Sequence, residues 1–175
     1  LNKTLQSDQQ KIASWRKEQS QLESLLRSVN EAVANISLPS DSLPFGKAKG
    51  KLRWPANGKR DLRFGKIRQP GDLRWEGIAV IAPQGQSVQA VHHGRVVFAD
   101  WFRGKGLLLI IDHGDGYMSL YAHNQTLMRE AGDWVSAGET IGTVGSSGGI
   151  AQPELYFEIR HQGKPLNPSS WLTRG

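Results

Sequence analysis

The sequence predicts a mainly β fold, in which an antiparallel β domain is preceded by a long α-helical arm. Three observations lead to this prediction. Residues 1–36 contain neither glycine nor proline, residues 37–51 are rich in proline, glycine and serine, and residues 52–175 break into short β-like runs separated by glycines. These patterns are typical of a helix, a linker and a set of hairpins, in that order. We therefore divide the chain into an arm (1–36), a linker (37–51) and a β domain (52–175).

The arm is predicted to be a helix that ends before Leu38-Pro39, because the residue before a proline disfavours the helical conformation. Its second half carries an aliphatic stripe along one helical face, formed by Leu22, Leu25, Leu26, Val29, Val33 and Ile36. The thinner stripe of Leu5, Ile12 and Trp15 is typical of the end of a coiled coil. An isolated helix of this length is marginal in water. The stripe therefore needs a cover, either a partner helix or the chain's own β domain.

The β domain is predicted to consist of antiparallel hairpins joined by glycine-rich turns. β-Branched and aromatic residues, which favour strands, concentrate in six runs: Gly77–Ile81, Gly94–Phe102, Gly106–Asp112, Tyr117–His123, Thr140–Gly145 and Leu155–Arg160. The turns at 113–116 and 145–149 are rich in glycine, as hairpin turns require.

The composition excludes several kinds of chemistry. The chain has no cysteine, which excludes disulfides, thiolate metal sites and cysteine nucleophiles. No apolar run approaches the ~18 residues that a membrane-spanning helix needs. The chain starts at Leu1 without a charged and then apolar leader, so we expect any export signal to lie upstream.

The net charge of +6 is concentrated in one stretch. Residues 45–74 contain ten lysines and arginines against Asp61 and Asp72. Such a stretch can face an anionic surface or an acidic partner, or it can simply be solvated. No nucleic-acid-binding motif accompanies the charge, so we expect no nucleic-acid partner.

A series of motifs in the β domain carries a family resemblance. The clearest are Gly77-Ile-Ala-Val-Ile-Ala-Pro83, Asp112-His-Gly-Asp-Gly-Tyr117, Leu120-Tyr-Ala-His123, Gly138-Glu-Thr-Ile-Gly142 and Leu155-Tyr-Phe-Glu-Ile-Arg160. In this order they resemble the LytM domain of M23-type zinc endopeptidases, which cut the peptide part of the bacterial cell wall. The resemblance covers roughly residues 52–172.

The resemblance also implies that the zinc site is degenerate. Active members bind zinc through an H-x-G-x-D stretch and the second histidine of H-x-H, which align here with Trp75-Glu-Gly-Ile-Ala79 and Glu154-Leu-Tyr156. Three ligand positions are thus Trp75, Ala79 and Tyr156, and His123 alone remains of the usual constellation. A catalytic zinc needs about three protein ligands and an open position for water. We therefore predict no metal, no cofactor and no peptidase activity.

The same replacements predict a groove that binds a partner. Tryptophan, alanine and tyrosine turn a metal cleft into an amphipathic surface, and aromatic residues beside an arginine are typical of surfaces that bind helices. Tyr156 and Arg160 are four residues apart on one strand and so share a face. The predicted groove consists of Trp75, Glu76, Ala79, Lys105, Leu108, Tyr121, His123, Glu154, Tyr156 and Arg160. Simple packing at Trp75 and Tyr156, a relic role for His123 and a surface salt bridge at Arg160 are the alternatives.

A degenerate LytM domain behind a helical arm is similar to the EnvC-type murein hydrolase activators of Gram-negative bacteria. The resemblance implies a non-enzymatic periplasmic protein whose groove binds the regulatory helix of N-acetylmuramoyl-L-alanine amidases during septal peptidoglycan splitting. It further implies that the arm blocks the groove until an FtsEX-type membrane complex acts through an upstream coiled coil. A peptidoglycan-binding module and an unorthodox M23-type metalloendopeptidase are the alternatives. For the activator we expect Arg160→Ala and Ala79→Glu to abolish activation with the fold intact.

Overall fold

The arm forms one helix, α1 (Asn2–Val33), in the computed structural model, which describes residues 2–34 and 43–174. The predicted aliphatic stripe is its buried face, since Leu22 and Leu26 are each 2% exposed. Three further stripe residues are half-buried, namely Leu25, Val29 and Val33. Ile36, predicted as the last residue of the stripe, lies outside the described residues. Among the described residues, no helix combines the length and apolar character that a bilayer crossing requires.

The described part of the β domain contains ten strands. They are β1 (Lys59–Asp61), β2 (Ile78–Ile81), β3 (Ser87–Gln89), β4 (Gly94–Phe102), β5 (Gly106–Gly114), β6 (Tyr117–Leu127), β7 (Trp134–Val135), β8 (Thr140–Val144), β9 (Glu154–His161) and β10 (Lys164–Leu166). The six predicted runs correspond to β2, β4, β5, β6, β8 and β9. The other four have two or three residues each, too few to show an alternating pattern.

The strands pair antiparallel in the order β1-β2-β9-β6-β5-β4-β7, and β10 pairs with β9 while β8 pairs with β3 and β6. Strand β9 is central, with β2 on one side and β6 on the other. Its register places Tyr156 opposite both Ala79 of β2 and Ala122 of β6. These three residues therefore project on the same face of the sheet.

The two faces of the sheet are covered by different parts of the chain. Along β9, the odd-numbered residues from Leu155 to Ile159 belong to the main core, whereas Tyr156 belongs to a second apolar cluster with α1. This second cluster contains Leu22, Leu26, Leu108, Ile110, Met118, Leu120, Ala122 and Tyr156. The helix is thus packed against the sheet of its own chain, which is one of the two covers that the apolar stripe required.

Part of the predicted linker packs on the β domain. Phe45–Ala48 form a short 3-10 helix, and the Phe45 ring is 1% exposed. This ring stacks on His113 and Trp171 at centroid distances of 4.6 and 5.1 Å. A single aromatic residue among prolines, glycines and serines leaves no periodicity to detect, yet its burial contributes a large apolar area. Residues 37–42 of the predicted linker lie outside the described residues.

Candidate functional site

The candidate site is the surface of β5, β6 and β9 that α1 covers, here called the helix-facing groove. Its floor is apolar and is made by Leu108, Ile110, Leu120, Ala122 and Tyr156, all below 5% exposure. Alternation along the strands brings these side chains to one face. Leu22 and Leu26 of α1 pack into this floor, and Trp75 and Phe102 are among its half-buried borders. The groove is therefore an apolar site already occupied by a helix.

Polar contacts at the edge fix α1 along the groove. Gln19 donates a hydrogen bond to the Glu76 carboxylate, and Arg16 forms an exposed ion pair with Asp72 at 3.2 Å. A third contact places the Arg68 guanidinium 3.9 Å from the centroid of the Trp15 ring. Exposed ion pairs contribute little stability. We infer that the apolar packing holds the helix and that the polar contacts set its register.

A buried ion-pair network forms one end of the groove. Arg160 is 2% exposed and donates to Glu158 at 2.7 Å and to Glu76 at 2.9 Å. It also donates to the Gly163 carbonyl at 3.0 Å, and the Tyr156 hydroxyl donates to Glu158 at 2.7 Å. Every charge in the network thus has a partner, as buried charges require.

The network shifts the titration of its members. Burial disfavours the charge on Glu158, but Arg160 and Lys105 outweigh burial and hold the pKa of this carboxyl below its usual range. Burial raises the pKa of Glu76, and Arg160 opposes this shift only in part. Burial and the adjacent Glu158 carboxylate raise the pKa of the Tyr156 hydroxyl well above its usual value. Tyr156 is therefore a neutral hydrogen-bond donor at physiological pH.

A cavity of about 170 Å³ lies where the family resemblance locates the zinc site. Its walls come from α1, from the loop before β2, from the β4–β5 turn and from the segment before β9. The lining includes Trp15, Glu18, Arg63, Arg68, Trp75, Lys105, His123, Glu154 and Tyr156. Three of these side chains are cationic, namely Arg63, Arg68 and Lys105, against the two carboxylates of Glu18 and Glu154.

His123 is held in a neutral, hydrogen-bonded state beside the cavity. Its backbone has a φ of 66°, which interrupts the regular alternation of β6, and its ring Nδ1 lies 2.7 Å from the Ser147 carbonyl oxygen. Because this carbonyl can only accept, Nδ1 carries the proton. Burial lowers the pKa of His123 to about 4, and Lys105 adds to this effect.

Arginines supply positive charge in this region. Arg63 pairs with Glu154 at 3.2 Å and with Asp61 at 2.8 Å. The Trp75 ring lies under the guanidinium groups of Arg63 and Arg68, at 4.8 and 4.4 Å. Such cation–π contacts stabilise an aromatic side chain at an exposed edge.

The donor set does not fit a zinc ion. Across residues 2–34 and 43–174, no three histidine, aspartate, glutamate or cysteine side chains come together as a metal site would need. Glu154 is engaged by Arg63, and His123 by Ser147. Two further cations, Arg68 and Lys105, line the same cavity and oppose a bound cation electrostatically. No chemical step can therefore be derived through a metal at this position.

Most of the predicted groove residues come together on this face. Trp75, Lys105, His123, Glu154 and Tyr156 line the cavity. Glu76 and Arg160 form the adjacent ion-pair network, while Leu108 belongs to the floor. Ala79 lies opposite Tyr156 in the strand register and is fully buried.

The prediction that Tyr121 lines the groove is wrong. Its ring belongs to the main core on the opposite face of the sheet, and its hydroxyl bonds to Ser119 and to the backbone NH of Val91. Tyr121 and His123 would share a face in a regular strand. The positive φ at His123 removes this relation.

The sequence reasoning missed several residues of the site. Glu158, the buried partner of Arg160, lies two residues from both Tyr156 and Arg160, so strand alternation could have identified it. The same alternation from Leu108 identifies Ile110. Arg63 and Arg68 come from a loop in which no pattern distinguishes them from the other basic residues of 45–74.

Comparisons with known proteins agree with this geometry. The sequence model of peptidase family M23 matches residues 73–168. The catalytic domain of lysostaphin from Staphylococcus simulans has a TM-score of 0.59 and 26% identity, over 64% of this chain and 90% of that domain. A zinc containing peptidase from Vibrio cholerae has a TM-score of 0.57 and 22% identity, over 70% of this chain and 37% of that one. The second likeness is evidence for the fold alone.

Curated relatives include proteins named as activators. Murein hydrolase activator EnvC of Escherichia coli (strain K12) is 46% identical over 138 residues, which is 79% of this chain and 33% of that protein. Murein hydrolase activator NlpD of Salmonella dublin is 39% identical over 145 residues, which is 82% of this chain and 36% of that protein. The chain thus spans about a third of the length of these relatives.

Proposed function

This chain belongs to peptidase family M23, and from that premise we propose that it activates a murein hydrolase rather than acting as one. The observation that carries the proposal is the donor set at the ancestral metal position. Tryptophan, alanine and tyrosine occupy the positions that the family resemblance assigns to three zinc ligands, and cationic side chains line the cavity. The relatives that bear activator names support the same conclusion.

We propose that the target is a periplasmic N-acetylmuramoyl-L-alanine amidase that splits septal peptidoglycan during cell division. The helix-facing groove suits a helix as its ligand, because it already holds α1 through an apolar floor and a polar edge. An amphipathic helix laid into an apolar groove is a common mode of recognition. In this proposal the groove binds the regulatory helix of the amidase and withdraws it from the amidase active site.

The position of α1 supports autoinhibition by the arm. Leu22 and Leu26 bury themselves in the floor that the amidase helix would need, so the two helices cannot occupy the groove together. An FtsEX-type membrane complex, acting through an upstream coiled coil, would shift the equilibrium toward the open groove. Such a switch operates when the two occupied states differ by only a few kcal/mol.

Dye release from labelled cell wall tests the activator proposal. The assay compares a purified amidase, this chain, and the two together. We expect release above the amidase baseline in the mixture and none from this chain alone. Release by this chain alone, with stoichiometric zinc bound, would instead establish a metalloendopeptidase. Co-sedimentation with cell wall without stimulation of any division amidase would establish a peptidoglycan-binding module.

A groove variant sharpens the same assay. Ala79→Glu places a carboxylate beside Tyr156 on the groove face, at a position that is fully buried in the wild type and where an unpaired charge is costly. We expect it to reduce stimulation at least tenfold. Ala137→Glu makes the same exchange at an exposed position far along the chain, and we expect it to stimulate normally. Thermal unfolding of both variants separates loss of fold from loss of binding, and normal stimulation by folded Ala79→Glu would contradict the groove assignment.

A further inference from the structure

Two cations that line the cavity beside the groove have no carboxylate within ion-pair distance among the described residues. They are Arg68 and Lys105. The Lys105 ammonium lies 4.6 Å from the centroid of the Tyr156 ring. Burial lowers the pKa of both groups; Glu18 partly counteracts this for Arg68, and Glu158 followed by Glu18 does so for Lys105. Desolvated cations of this kind favour an anionic ligand.

The arm presents one carboxylate to this cavity without filling it. Glu18 lines the cavity and sits directly over Gly104, where a β-carbon would overlap its carboxylate. Ser14 donates a hydrogen bond to the same carboxylate at 3.3 Å. About 170 Å³ remains open beyond it, well above the ~10–15 Å³ that one water needs. The Glu18 carboxylate thus attracts Arg68 and Lys105 electrostatically but forms no direct ion pair with either.

The acid has a fixed spacing from the leucines that hold the helix. Glu18, Leu22 and Leu26 are separated by four residues each and lie on one face of α1. A helix can therefore contact the cavity and the apolar floor at once if it has an acid one turn before its first buried aliphatic residue.

We propose that the helix displacing α1 carries an aspartate or glutamate four residues before its first buried aliphatic residue, and that this carboxylate pairs directly with Arg68 and Lys105. This inference rests on the proposed function and adds the chemistry of the partner. Charge-assisted hydrogen bonds are about twice as strong as neutral ones. A carboxylate that reaches both cations gives the partner an advantage over Glu18. The arm is then a competitor that holds the groove through its leucines and yields to a helix that completes the ion pairs.

The first test measures the affinity of the stimulated amidase for the full chain. We expect Lys105→Met and Arg68→Gln each to weaken binding about tenfold and to reduce its dependence on salt. Arg103→Met removes an exposed cation from the same β4–β5 turn, and we expect it to bind as the wild type does. Replacement of one acid in the amidase helix by its amide should cost about as much as Lys105→Met, and the two losses should not add. Fully additive losses, or normal binding by every amide variant, would overturn the inference while leaving activation intact.

The second test does not depend on any amidase. A labelled peptide of residues 5–34 is titrated into the full chain whose own arm carries Leu22→Asp and Leu26→Asp. We expect the wild-type peptide to bind at least threefold more tightly than its Glu18→Gln version, and Lys105→Met in the chain to abolish that difference. Equal binding of the two peptides would overturn the inference even if amidase stimulation is observed. A clear difference in affinity between the two peptides, without stimulation of any amidase, would support pairing of a helix carboxylate with the cavity cations and contradict the proposed function.

Discussion

Arg160 lies at 2% exposure between the carboxylates of Glu158 and Glu76, and its charge balances the buried end of the groove. The sequence identified this arginine as a binding residue and left open a surface salt bridge. The structure makes it part of a buried network instead. Removing one member of such a network leaves an uncompensated charge, which costs much more than losing an exposed pair.

The expectation that Arg160→Ala leaves the fold intact therefore needs correction. We predict that this variant lowers the free energy of unfolding by about 3–5 kcal/mol, since the Glu158 charge stays buried without its partner. Arg129→Ala is the matched control, because it breaks the half-exposed pair with Glu139 at 2.9 Å, and we expect a loss below ~1 kcal/mol. Urea unfolding measures both. An Arg160→Ala variant as stable as Arg129→Ala would show that the network contributes little.

Two buried histidines make stability depend on pH. Burial lowers the pKa of His113 to about 3 and that of His123 to about 4, whereas both titrate near 6.5 in the unfolded chain. The unfolded state then binds more protons below about pH 6.5, so stability is full above that pH and is lost as the pH falls. We predict a loss of about 2 kcal/mol per histidine between pH 7 and pH 5.

Burial raises the pKa of the Glu76 and Asp112 carboxyls, so these groups favour the folded state as the pH falls, opposite to the histidines. Histidine variants separate the two effects. His123→Gln should show a shallower fall in the urea midpoint between pH 7 and pH 5 than the wild type. His161→Gln, at a half-buried position stacked on Tyr117, controls for the exchange itself. Identical pH slopes for His123→Gln and the wild type would contradict the assignment.

Helix α1 is held against the sheet by one of its faces. Burying a leucine side chain stabilises a packed state by about 1.5–3 kcal/mol, and Leu22 and Leu26 are the two stripe residues that are almost fully buried. The polar edge adds Gln19 and the exposed Arg16–Asp72 pair. The free energy that holds α1 in the groove is therefore small enough for a competing helix to match.

Releasing the arm should expose it to protease while the β domain stays folded. We predict that Leu22→Asp with Leu26→Asp speeds tryptic cleavage after Arg27 by tenfold or more, because the floor cannot accept two buried carboxylates. Gln21→Asp with Ser28→Asp adds the same charge to the exposed face of α1 and should be cleaved at the wild-type rate. Equal cleavage of both double variants would mean that the leucine face does not hold the arm.

Over the whole molecule, periodicity predicted the features that repeat. The aliphatic stripe of α1, the six longer strands and the shared face of Tyr156 and Arg160 all follow from side-chain spacing. The single-residue features did not follow. Phe45 anchors a segment that reads as linker, and the positive φ of His123 separates it from Tyr121. The position of Glu158 could have been predicted from strand alternation. The positions of the loop arginines Arg63 and Arg68 depend on a tertiary fold that no local pattern encodes.

In the proposed function, α1 and the amidase helix compete for one groove. The measurement that tests this competition most directly is the affinity of the stimulated amidase for the wild-type chain and for the Leu22→Asp, Leu26→Asp variant, determined by calorimetry under identical salt. Because the wild type must first give up α1, its apparent affinity is reduced by the fraction of open grooves. We predict that the variant binds the amidase at least tenfold more tightly. Equal affinities for the two chains would contradict the claim that the arm and the amidase share the groove.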